Sequence, residues 1–113
     1  TWLAARAEYH LRLRAGTDTA LAMAMLKVVC EEKLYDQEFC DKWVYGLEAV
    51  CERVAEMDLD DLCEKSWVAK EDVQRVARTY AASKPAAIQW GVALDQQTGG
   101  QQAAPTEPSR IAT

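Results

Sequence analysis

From Thr19 to about Glu32 the sequence TALAMAMLKVVCEE predicts a helix that is apolar on nearly every side. Ala20, Ala22 and Ala24 keep one flank small enough for close backbone approach. A helix of this kind cannot stand in water on a wide face, so the rest of the chain must be arranged to bury it. The segment ahead of it alternates: Tyr9, Leu11 and Leu13 interleave with His10, Arg12 and Arg14, the period-two pattern of a strand with one buried face. Gly16 ends that run, and Thr17 or Asp18 is positioned to cap the helix.

Downstream, Asp36 caps a short predicted helix bearing Phe39, Cys40, Trp43 and Val44, with Tyr35 packing on Cys40 as a staple. Gly46 breaks the run. Leu47, Val50, Cys51 and Val54 recur at helical spacing, with Glu48, Glu52, Arg53 and Glu56 toward water. An acidic turn, Asp58 to Asp61, leads into Leu62 and Cys63. Val73, Val76, Ala77, Tyr80 and Ala81 then mark the clearest helix of the chain, opened by Glu71 and Asp72 and stopped by Lys84-Pro85. The run Ala86 to Leu94, almost wholly apolar, reads as a strand buried on both faces of a parallel sheet.

Two strands joined by helices make a right-handed βαβ crossover. The expected fold class is therefore α/β, a Rossmann-like fragment that is predominantly helical with about two parallel strands. Two strands are not a domain, which suggests a piece of a larger α/β domain over residues 1–95, followed by a flexible tail over 96–113.

Composition narrows the function. With 113 residues, thirteen basic and eighteen acidic, the net charge is −5, so the chain lacks the basic footprint of a nucleic-acid or anionic-membrane binder. The longest apolar run, Ala20 to Leu26, is far shorter than the ~20 residues that span a bilayer, and no leader pattern precedes it. Cys30, Cys40, Cys51 and Cys63 are separated by nine, ten and eleven intervening residues, which fits no metal knuckle and no CxxC pair. They read as reduced, buried thiols acting as small hydrophobes, although two disulfides are conceivable in an oxidising compartment. The single histidine, His10, has no nucleophile to serve and reads as a solvent-facing residue. No Walker loop or GxGxxG occurs. The remaining places for chemistry are the loops at the strand ends: Gly16-Thr17-Asp18 at one and Gln96 beyond Val92 at the other.

Three stretches carry a resemblance. TWLAARAEYHLRLRAGTDTALAMAML, EEKLYDQEF and EKSWVAKEDVQRVARTYAASKPAAIQWG occur in the order and spacing of an internal segment of the molybdopterin oxidoreductases, the dimethyl sulfoxide reductase superfamily. Members typically show LRPGTD before an Ala/Leu helix, then EEGLYD, VPAE and KPAAIQWG. The chain looks most like the subgroup that includes acetylene hydratase. The resemblance implies a parent enzyme that is anaerobic, catalyses electron or oxygen-atom transfer, and uses bis(molybdopterin guanine dinucleotide) with molybdenum or tungsten. It also implies a [4Fe-4S] cluster bound outside this segment, and as partners the rest of the catalytic subunit and an iron-sulfur electron-transfer subunit. The implied cofactor-binding residues are Gly16, Thr17 and Asp18 at the guanine nucleotide, with Val92, where many relatives have methionine, and Gln96. No catalytic or metal-ligating residue falls within the segment. Ala15 and Ala69 replace two prolines of the family pattern. A competing expectation is a stand-alone acidic interaction module with neither cofactor nor catalysis.

Overall fold

In the computed structural model, which describes residues 1–89, 91 and 92, the helix read from Thr19 spans α2, Asp18–Glu31. It follows α1 (Trp2–Arg6) and precedes α3 (Gln37–Trp43), α4 (Leu47–Ala55), α5 (Leu59–Ser66) and α6 (Lys70–Ala82). α2 is the axis of the fold, and α4, α5 and α6 pack on it. Ala24, Val28 and Val29 meet Leu59 and Cys63 of α5, Val68 of the α5–α6 link, and Val73 and Ala77 of α6. Ala24, Val73 and Ala77 have no exposed surface, so the small residues of α2 do allow close approach.

Local signals explain most boundaries. Asp36 accepts a hydrogen bond from Phe39 N at 3.0 Å and starts α3. Gly46, at φ 81°, turns the chain from α3 into α4 in the left-handed region open to glycine. Asp58 accepts from Asp60 N at 3.0 Å and opens α5, so the acidic turn is itself a helix start. α5 closes on Trp67 at φ 62°, with Val68 N donating back to Cys63 O at 3.3 Å.

The α/β expectation is not met. Among the described residues there are six helices and no strand, so the two parallel strands and the βαβ crossover are absent there. The alternation in Tyr9–Leu13 is met in part: Leu11 and Leu13 pack against the core and Arg12 and Arg14 are exposed, but Tyr9, expected on the buried face, is exposed. Period two reports an extended backbone with one apolar face; it says nothing about whether a ladder partner exists. Here the segment docks onto helices, and its backbone link is Arg14 N donating to Ser66 O at 2.9 Å. Residues 86–89 are non-helical, non-strand and largely exposed. The rest of the predicted second strand, apart from Gly91 and Val92, lies outside the described residues, as does the predicted tail.

A second correction concerns the thiols. Cys40 and Cys63 are free and buried, as expected, but Cys30 and Cys51 form a disulfide between α2 and α4, their Cα atoms 5.5 Å apart. Burial is the main cause that raises both free thiols above the usual cysteine range. Asp36 and Asp41 add to the rise at Cys40, and Asp60 adds to it at Cys63.

Candidate functional site

The candidate site is the turn that feeds α2. Gly16 adopts φ 80°, and a Cβ built on it would meet nothing within 4 Å, so the turn needs glycine for its backbone and faces open space. Thr17 occupies the N-cap position without capping α2 through its side chain. Its hydroxyl instead donates backward to Arg14 O at 2.6 Å, and its amide donates to the same oxygen at 3.1 Å. Asp18 is the first helical residue, one position later than a cap. There its charge favours the helix electrostatically, at the end where the first amides have no acceptor within the helix. Thr17 and Asp18 are half-buried.

Arg14 is the centre of this arrangement. Its carbonyl holds Thr17, its amide is held by Ser66 O, and its guanidinium lies 5.4 Å from the ring centroid of Trp67. Ser66 is fully buried, and its hydroxyl donates to Cys63 O at 3.1 Å. The turn is thereby fastened to the end of α5 through one backbone hydrogen bond, Arg14 N to Ser66 O, and the contact of the Arg14 guanidinium with the Trp67 ring.

The sequence-predicted residues divide. Gly16, Thr17 and Asp18 form one continuous turn, as their adjacency requires. Val92 is 63% exposed. Gln96 lies outside the described residues. His10 is exposed. Among the described residues no three His, Cys, Asp or Glu side chains converge as a metal site, and no helix is long and apolar enough to cross a membrane.

Sequence reasoning missed two side-chain roles. Lys27, only 7% exposed inside the apolar helix, donates through Nζ to Val54 O at 3.3 Å and Ala55 O at 3.2 Å, and pairs with Glu31 at 2.6 Å. It holds the carbonyl end of α4 on α2. The contact of Trp67 with Arg14 is the other, missed because an isolated aromatic after a helix carries no periodic signal for its partner.

No family model matches the chain. It is 39% identical over 97 residues to acetylene hydratase of Syntrophotalea acetylenica, covering 86% of this chain and 13% of that protein. It is 33% identical over 81 residues to the thiosulfate reductase molybdopterin-containing subunit of Salmonella typhimurium, covering 72% of this chain and 11% of that one. The solved structure of acetylene hydratase from Pelobacter acetylenicus superposes with a TM-score of 0.92 at 36% identity, over 99% of this chain and 15% of that one. The chain thus spans less than a sixth of the length of each.

Proposed function

The chain belongs to the molybdopterin oxidoreductases, corresponding to an internal segment of them, and from that premise we propose that it helps hold the guanine nucleotide end of a bis(molybdopterin guanine dinucleotide) cofactor. The observation that carries this reading is the turn itself. A left-handed Gly16 open to solvent precedes a half-buried carboxylate at a helix N-terminus, so a ligand can approach the backbone closely and meet a fixed acceptor. Guanine offers two adjacent N–H donors on one edge, and a single carboxylate accepts both in a charge-assisted pair. Thr17 orients the turn through Arg14 O, and Asp18 reads the base. Val92 and Gln96 belong to the same proposed set, contributed by the second loop.

The donor set fits the nucleotide end of the cofactor and not its metal end. When bound, the cofactor supplies electron- or oxygen-atom-transfer chemistry at molybdenum or tungsten. This chain's residues bind and orient the far end of the ligand. The [4Fe-4S] cluster, the remaining cofactor walls and an iron-sulfur electron-transfer subunit belong, in this reading, to other parts of the assembly.

The test is an amide-shift titration of the 113-residue chain with GMP against AMP. Selective movement of the Thr17 and Asp18 signals with GMP, lost in Asp18→Asn, is the expected result. Equal movement with both nucleotides, or none at millimolar concentration, overturns the assignment of Asp18 and leaves the acidic interaction module as the better description.

A further inference from the structure

Trp67 stands in a conformation that a bulky side chain seldom occupies. Its φ of 62° and ψ of 23° lie in the left-handed region where helices usually finish on glycine. The neighbours justify the backbone: Ser66 is fully buried and Val68 is 7% exposed. They do not justify the indole, which is 72% exposed and contributes little to the core. A glycine would close α5 with less strain, so the ring calls for a reason outside the fold.

Its surroundings supply one. The Arg14 guanidinium lies over the ring, and Arg12, also exposed, follows the same extended segment. Arg14 thus sets a positive charge beside the ring in a chain of net charge −5. It is mechanically continuous with the Gly16 turn, because Arg14 N is bonded to Ser66 O and Arg14 O receives both the amide and the hydroxyl of Thr17. Ring, guanidinium and turn therefore share one support.

We propose that Trp67 and Arg14 form a stacking platform for the purine ring of the nucleotide whose edge Asp18 reads. The inference rests on the nucleotide reading of the Gly16–Asp18 turn and adds to it the residues that hold the base by its face. An indole offers its π surface to any purine, whereas only an edge contact distinguishes guanine from adenine. Arg14 keeps the indole oriented and brings a positive charge to the anionic ligand. Affinity and selectivity thus reside in different side chains: Trp67 with Arg14 for the first, Asp18 for the second.

The experiment follows the Trp67 indole N–H and the Asp18 amide while GMP or AMP is added to the full chain and to its Trp67→Gly and Trp67→Phe variants. Trp67→Gly suits the left-handed position, and an unchanged amide spectrum elsewhere certifies its fold. Both nucleotides are expected to move the indole signal, and GMP alone the Asp18 amide. GMP binding should weaken about tenfold in Trp67→Gly and largely recover in Trp67→Phe, as the loss and return of one stacked ring predicts. Unchanged GMP affinity in Trp67→Gly, with Asp18 still responding, overturns the platform and leaves the guanine reading standing. An indole response to both nucleotides without any Asp18 response keeps the platform and removes the guanine reading. Silence at both positions removes both.

Discussion

α5 and α6 are held to α2 by interdigitated apolar side chains, whereas α4, with α3 ahead of it in the chain, is held by a few discrete ties. The first region buries Val73, Ala77, Leu59, Cys63 and Val68 against Ala24 and Val28. The second buries one side chain per helix, Cys40 in α3 and Val54 in α4, and leaves Trp43 and Tyr45 in solvent. What fastens α4 to α2 is the Cys30–Cys51 disulfide and the Lys27 ammonium on the Val54 and Ala55 carbonyls. Apolar packing is spread over many atoms and fails as a unit. Point ties can be cut singly, leaving the rest in place.

The sharpest way to break that contrast is to charge the packed region. Val73→Asp puts an unpaired carboxylate where no surface is exposed, at an expected cost of several kcal/mol or more, enough to abolish cooperative unfolding in a circular-dichroism melt. A variant that still melts cooperatively near the parent temperature would mean that α6 is not part of the packed unit.

Cutting a tie should do less and do it locally. Lys27→Met keeps the apolar stem but leaves two α4 carbonyls without their donor, an expected loss of about 2 kcal/mol. Amide exchange should rise along α4 and stay slow in α5 and α6, and rise further when a dithiol reduces the disulfide. Uniform acceleration across all helices would erase the distinction between the two regions.

The smallest effect concerns a surface pair that braces the packed region. Arg78 donates to both carboxylate oxygens of Glu32, at 2.8 and 2.6 Å, tying α6 to the end of α2. The hydrogen bond from Arg78 holds the Glu32 carboxyl below its ordinary range, outweighing the opposing effect of desolvation, with the Arg78 charge adding to the lowering. A depressed carboxyl pKa stabilises the fold above the unfolded-state value, and that contribution fades as pH falls through the folded-state value. Glu32→Gln should therefore lower the urea midpoint slightly at neutral pH and make no difference in strong acid. The pair is solvent-exposed, so the effect should shrink further in high salt.

The same contrast explains what could be read from sequence. α2, α4 and α6 declare themselves by apolar spacing, and α3 by Asp36, because helix signals are local and every needed residue lies within a turn or two. α5 hid behind its acidic start, although Leu59, Leu62 and Cys63 already keep helical spacing. Tyr9 to Leu13 yielded two of its three inward side chains, Leu11 and Leu13 but not Tyr9, and none of its partners, since alternation is a property of one segment and a ladder is a property of two. The Cys30–Cys51 bond and the reach of Lys27 to Val54 join positions more than twenty residues apart, and no pattern within either segment marks the other. At the candidate site, Gly16, Thr17 and Asp18 were legible because they are contiguous. Trp67 was not, because its approach to Arg14 depends on how α5 ends.

A single ammonium at the foot of α4 also settles a question that apolar contact leaves open. With one fully buried side chain, α4 could lie on α2 in either direction, or slide by a turn, at little difference in hydrophobic contact. Lys27 recognises the polarity of that helix: carbonyl oxygens welcome a cation, while the amide end, presented by the reverse arrangement, would repel it. The lysine thus acts as a compass within the fold, removing orientational degeneracy that greasy surfaces alone would tolerate.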